Sequence, residues 1–450
     1  LTAIASRIRT LPERQGKRTL IVLALILVLG LGLRAYRVAE PLASPGDDAH
    51  AYYALSKALY VEGSYGGPTF HDSSDWSPGA PLLFAASFYA TGGAREGVGR
   101  IVEALLGVAA IVVVFLLGSR IASRPAGLTA AFGVAIYPPF IHSTGALMSE
   151  PAAIFTLPAA VLAFLWAGDQ ERLRAWLLPG LLFGLTALIR PEYLVAAAAF
   201  ALLAFVKVGR QRGWRPGLAG AALLVAAFLL PIVPWTIHNA VVLDRFVPIS
   251  TGGGKALYVG TFLPADGEYQ RVKALLVERY LHRNLEPNSA ALDRVDPTPL
   301  FDRVASRYPD LPRDSALGKI GKQNFSHYFG EDPLGYLGMT ARKVGRMWSS
   351  GVGEAMSSTA GRVLQLLIVA LALAGLGVLA WRRWWWELVA MATPIALVTV
   401  VGAASLAASR RNEVLMTLVF PLAAAALAWG ASALLSSGLW SSRQASSPRN

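Results

Sequence analysis

Long apolar runs, separated by short polar or basic turns, dominate this chain. Runs near residues 20–35, 98–117, 126–141, 151–166, 177–189, 193–206, 218–235, 364–380, 388–407 and 414–435 each predict a membrane-crossing helix; an upright crossing takes roughly 20 apolar residues. Residues 77–90, SPGAPLLFAASFYA, are also apolar, but their length and two prolines predict a helix lying at the membrane interface or re-entering it. Residues 238–360 have mixed polarity and several prolines, with no apolar run long enough to span, so they predict an extramembrane segment. The pattern gives an all-α polytopic bundle of about ten spanning helices with outer interfacial helices. It divides into a transmembrane module at 1–237 whose first external loop is 37–97, an extracytoplasmic region at 238–362, and a second transmembrane module at 363–450.

Charge sets the orientation. Arg7, Arg9, Arg14, Lys17 and Arg18 precede the first run, and Arg120, Arg124 and the stretch KVGRQRGWR fall in alternate later turns. Basic residues stay on the cytoplasmic side, so both termini are expected inside and the turn after the first run outside. Counting 77–90 as a span would move the later basic turns outside, which favours ten. The first run ends in LRAYRVAEP, without a small-residue cleavage site, and reads as a retained helix. With 54% hydrophobic and only 15% charged residues, the composition is that of a membrane protein. The net charge of +13 then reflects cytoplasmic loops and contact with membrane lipid, with no nucleic-acid partner expected. There is no cysteine, which excludes disulfides and thiolate chemistry.

This topology gathers the unusual polar residues at the outer ends of the spans, where a charge is costly unless paired or facing water. PGDDAHAYYALSKALY, following the first span, carries Asp47 and Asp48 at the start of a helix on which His50, Tyr53 and Lys57 share one face, while Leu55 and Leu59 turn toward the membrane. Either carboxylate can cap that helix; two close together also hold one pKa up, as suits a general base. Glu150, in LMSEP, opens another span and can be satisfied by the backbone N–H groups there. Arg190 and Glu192 can neutralise each other across a turn, or Arg190 can meet a phosphate. Arg410 and Arg411 run against the positive-inside tendency and call for an anionic partner.

PISTGGGKALYVG, residues 248–260, is glycine-rich but lacks the GxxxxGK[ST] spacing of a nucleotide-binding loop. Its amide groups and Lys255, with Tyr258 beyond, suit either a close approach to a phosphate or sugar, or an ordinary turn. HDSSD offers His71, Asp72 and Asp75 as ligands for a divalent metal, although such a cluster is commonly a plain turn. The stretches GKIGKQNFSHYFG and ARKVGRMW are basic and aromatic, suited to lipid headgroups or to a solvated surface. No HExxH, GxSxG or CxxC pattern supports hydrolase or thiol chemistry.

In order along nearly the whole chain, PGDDAHAYYALSKAL, WSPGAPLL, LMSEPAAIF, GLTALIRPEYL, PWTIHNAVVLDRFVPISTGGGKALYVG and a late arginine at the outer start of the last span resemble the polytopic GT-C glycosyltransferases that use polyprenyl-phosphate sugars. The likeness is to the bacterial group related to protein O-mannosyltransferases and the lipid A aminoarabinose transferase. It implies a GT-C-like bundle in a bacterial cytoplasmic membrane with its active site outside. It also implies a polyprenyl-phosphate sugar donor and a glycan, lipid or protein acceptor. By the same resemblance Asp47 is the general base, Asp48 shapes the site, and Glu150 is the second acidic position. Where the group has PWxxRN this chain has His238, and where it often has the Asn of GGxNL this chain has the Lys255–Ala256 step, so headgroup contacts fall to residues such as His50, Lys57, Arg190, His238, Lys255, Tyr258, Arg410 and Arg411. Direct displacement at the anomeric carbon would invert configuration. A transporter or flippase would instead carry ionisable groups mid-span, and a polysaccharide polymerase or ligase would take a diphosphate-linked glycan.

Overall fold

The computed structural model describes residues 13–40, 47–66 and 75–445, with the side chains at 13–15, 47 and 434–445 outside the described set. The N-terminal half comprises α1 (Glu13–Ala39), α2 (Asp47–Glu62), α3 (Gly79–Thr91), α4 (Glu96–Ile121), α5 (Arg124–Ile136), α6 (Pro138–His142), α7 (Glu150–Gly168), α8 (Leu177–Ile189), α9 (Ala196–Arg212) and α10 (Trp214–Leu243). A run of shorter helices follows: α11 (Gly253–Thr261), α12 (Tyr269–Leu281), α13 (Ala290–Asp293), α14 (Thr298–Ala305), α15 (Arg313–Glu331), α16 (Pro333–Ser349) and α17 (Glu354–Ser357). Three long helices end the chain: α18 (Thr359–Trp381), α19 (Trp385–Ala404) and α20 (Ser409–Ala445). Among the described residues there is no strand.

Eight of the ten expected spans, α1, α4, α7, α9 with its leading 3-10 turn, α10, α18, α19 and α20, are helices long and apolar enough to cross a membrane. The other two are shorter. The run at 126–141 divides into α5 and α6 at Tyr137, which is extended (ψ 119°) because the proline that follows disfavours helical backbone there. The run at 177–189 is α8, extended at its start by the 3-10 turn Leu173–Trp176. Residues 77–90 form α3, whose 13 residues are too few to cross.

The spans pack through aromatic and small residues. Phe164 of α7 lies 4.7 Å from the Phe200 ring of α9 and stacks at 4.7 Å on Trp386 of α19, while Phe183 of α8 stacks on Phe200 at 4.1 Å. Such pairs contribute about 0.5–1.5 kcal/mol each beyond area burial. α4 and α5 approach closely enough that a Cβ on Gly118 would meet the Gly127 Cα at 3.0 Å; small residues at this crossing let the backbones touch. Arg34, fully buried on α1, donates to the carbonyls of Gly30, Ala135 and Val134 and so ties α1 to α5. Leu55 departs from expectation: it does not face lipid but is completely buried in the main core.

Helices α11 to α15 bury a core of their own around Val259, Val272, Leu292, Phe301, Leu317 and Ile320. One buried cation fastens this region to the bundle. Lys343 of α16 donates to the carbonyls of Gly260 (2.6 Å) on α11, and of Ala403 (2.8 Å) and Ser405 (3.0 Å) at the end of α19. Burial pushes Lys343 down to about 8, with Arg346 and Arg411 acting in the same direction.

Candidate functional site

Four helix ends, far apart in sequence, bring the polar residues together. Asp48 stands in the first turn of α2, Glu150 opens α7, Arg190 and Glu192 flank the α8–α9 turn, and Arg410 and Arg411 lie in the first turn of α20. Arg410 joins two of these ends: its Nη1 meets Asp48 Oδ2 at 2.6 Å, and its Nε and Nη2 meet Glu150 Oε1 at 2.8 and 2.7 Å. Arg190 approaches the same Glu150 oxygen at 3.1 Å and turns its Nε to Glu192 at 2.8 Å. The neutralisation of Arg190 by Glu192 read from the sequence therefore forms, but as part of a longer chain of alternating charge. Glu150 is 2% exposed, so its ionised form depends on these partners. Arg411 donates to Ser405 Oγ at 3.2 Å.

Asp48, Glu150 and Arg410 line a cavity of about 660 Å³ together with Lys255 of α11, and His142, Ser143 and Glu413 complete its polar wall. Val259, Leu406 and Ala256 supply apolar surface. Its volume is that of a small-ligand site with few polar groups on an apolar wall. Three carboxylates, a guanidinium and an ammonium around one space can abstract a proton and meet developing negative charge.

The glycine-rich segment differs from its phosphate-cradle reading. The amide groups of Gly254 and Lys255 already donate to Asp314 Oδ1, at 2.8 and 3.3 Å, and a side chain on Gly254 would collide with the Asp314 backbone. Glycine is needed here for close approach to α15; Gly252, Lys255 and Ala256 of this loop line the cavity, and the Lys255 ammonium lies over the Phe301 ring, 5.8 Å from its centre.

The remaining sequence candidates scatter. The side chain of Asp47 and residues His71 and Asp72 lie outside the described residues. Asp75 is not free for a metal: it accepts from Thr251 Oγ1 at 2.6 Å and pairs with Arg313. Among the described residues no group of three metal-ligating side chains comes together, and the positive charge between Asp48 and Glu150 is a guanidinium. His50 and Lys57 are exposed and do not line the cavity. His238 stacks on Trp235, with ring centres 4.6 Å apart, and Tyr258 is buried in the α11–α15 core rather than in the cavity.

Sequence reasoning passed over Arg100 and Glu103. Glu103, 1% exposed on α4, accepts from the amides of Gly145 (2.7 Å), Leu147 (3.1 Å) and Met148 (2.6 Å), fixing the loop that delivers Glu150. Arg100 donates to Gly145 O and to the carbonyls of Arg37 and Glu40. The available signal was their presence in or beside an apolar run, where an ionisable residue always has a task. Glu413, three residues after Arg410, takes its place in the cavity wall from the fold.

Comparison with solved structures gives the fold. The apo oligosaccharyltransferase of Archaeoglobus fulgidus matches over 96% of this chain and 52% of its own, at 18% identity and a TM-score of 0.57. The archaeal oligosaccharyltransferase AglB of Archaeoglobus fulgidus, in complex with an inhibitory peptide and a dolichol-phosphate, matches over the same shares, 96% and 52%, at 14% identity and a TM-score of 0.54. The chain thus spans about half the length of these structures, and at such identities the likeness is one of fold. The polytopic helical fold is like that of these oligosaccharyltransferases, in line with the GT-C resemblance read from the sequence. More particularly, residues 75–238 match the family described as Dolichyl-phosphate-mannose-protein mannosyltransferase. None of the curated proteins matches the chain in sequence.

Proposed function

We propose that this chain transfers a sugar from a polyprenyl-monophosphate donor to a hydroxyl group of a glycan, lipid or protein acceptor, at the outer face of a bacterial cytoplasmic membrane and with inversion. The observation that carries the reading is the cavity that Asp48, Glu150, Arg410 and Lys255 line together. A carboxylate of the Asp47–Asp48 pair takes the acceptor hydroxyl proton as that oxygen bonds to the anomeric carbon. The bond from that carbon to the phosphate oxygen breaks with its electron pair, and Lys255 and Arg410 receive the charge growing on the departing lipid phosphate. Glu150 holds Arg410 and Arg190 in register. A lipid-phosphate donor is supported by the matched family's description and by the dolichol-phosphate in the archaeal relative's complex. Its tail can stay in the bilayer while its sugar enters the cavity.

The test is transfer from radiolabelled polyprenyl-phosphate sugars to native membrane extract by the purified protein in vesicles. Loss of the general base costs about 10²–10⁴-fold, so Asp47→Asn or Asp48→Asn should lower the rate by that order. Full transfer by both variants would overturn the proposal.

A further inference from the structure

Glu413 is one helical turn beyond Arg410 on α20, so both point from one face of that helix. It is 1% exposed and lines the cavity, and its Oε1 has no hydrogen-bond partner. The nearby cations are engaged elsewhere: Arg410 with Asp48 and Glu150, and Arg190 with Glu150 and Glu192. The Tyr137 hydroxyl, also close, donates to Gln365 Oε1 at 2.6 Å. Ser143, close to the Glu413 carboxyl, is buried and lines the same wall, and its Oγ likewise has no hydrogen-bond partner. A carboxyl oxygen withdrawn from water and left without a donor is costly, and it becomes useful only when a ligand brings the missing O–H.

We infer that Glu413, with Ser143 beside it, accepts a hydrogen bond from one hydroxyl of the transferred sugar and is a specificity-determining residue of the site. This rests on the glycosyl-transfer reading above. Within that reading the division of labour is chemical. Lys255 and Arg410 meet the phosphate, which every donor of the class shares, and contribute little to choosing among sugars. Glu413 sits in the same space but offers an acceptor, and only a sugar with a hydroxyl at the matching position satisfies it. A site built to hydrogen-bond a substrate hydroxyl discriminates strongly against the analogue lacking it, because the analogue leaves the buried acceptor unpaired.

The experiment measures kcat/KM for the wild type, Glu413→Gln, Glu413→Ala and Ser143→Ala. It uses a panel of polyprenyl-phosphate hexoses and pentoses, and the single-deoxy analogues of whichever sugar the wild type accepts. The wild type should reject one deoxy position by tenfold or more. The Glu413 variants should lose at least tenfold on the full sugar and little on that deoxy analogue, so that the discrimination collapses; Ser143→Ala should narrow it. A merely structural role for Glu413 would lower both donors together and leave their ratio intact, which overturns the inference. Glu413→Gln preserves shape, so it keeps the test open if the alanine variant fails to fold. Transfer of no sugar by a folded wild type would instead overturn the glycosyl-transfer reading and this inference with it, whereas wild-type transfer with unchanged ratios in the Glu413 variants overturns this inference alone.

Discussion

Replacing Glu150 by glutamine removes one charge at the centre of the polar cluster and little volume. Asp48, Glu150 and Glu192 pair with the guanidiniums of Arg190 and Arg410, and the substitution removes the one carboxylate that both arginines share. Removing one partner of a buried ion pair costs about 3–5 kcal/mol. Two features push the value to the lower end, about 3 kcal/mol. Arg190 keeps Glu192 at 2.8 Å and Arg410 keeps Asp48 at 2.6 Å, and the Arg410 side chain is 39% exposed, so water screens that arm. The assay is thermal and denaturant unfolding in nanodiscs of the wild type, Glu150→Gln, Arg410→Met and the double variant. Residues that share a pair couple by about 0.5–3 kcal/mol, whereas independent ones add. A Glu150→Gln midpoint equal to the wild type's, together with additive double-variant energetics, would refute the view that Glu150 holds the two arginines.

Lys343→Met leaves the carbonyls of Gly260, Ala403 and Ser405 without their donor and should loosen α11–α16 from the bundle, read as faster proteolysis of residues 253–349. Because burial lowers Lys343 from 10.5 to about 8, the unfolded chain holds that proton more tightly between these values. Stability therefore rises with pH across that window in the wild type, and the rise should be absent in Lys343→Met; parallel melting curves at pH 7.5 and 10 would count against this. Asp314→Ala frees the amides of Gly254 and Lys255, with a cost of about 2 kcal/mol expected for hydrogen bonds to a charged group. It should also raise the donor KM by misplacing Lys255, measured in the transfer assay. Cysteines introduced into this cysteine-free chain at Ser73 and Arg212 should label from outside and inside respectively, and the reverse result would invert the topology.

The spans were legible because a bilayer helix needs a length of apolar sequence that little else in a protein supplies, and eight runs met that requirement outright. The break at Tyr137 was legible in retrospect from Pro138, but the run around it hid the stop. Leu55 was misread because an apolar residue beside a membrane has two apolar surroundings available, lipid and protein, and periodicity does not distinguish them. Glu150, Arg410 and Arg411 stood out as charges at helix ends, yet nothing local says that Arg410 reaches back 260 residues to Glu150 and 362 to Asp48. The glycine run announced a close approach, and only the fold shows that its partner is Asp314.

The guanidinium that joins Asp48 to Glu150 belongs to the last helix of the chain, α20. Translation is vectorial, so both carboxylates have left the ribosome long before Arg410 is made, and until then Glu150 has only Arg190 from the pairs it finally keeps. Completion of the charge cluster thus coincides with insertion of the final span. A chain arrested before residue 409 lacks the guanidinium that pairs with Asp48 and leaves Arg190 alone to serve both Glu150 and Glu192.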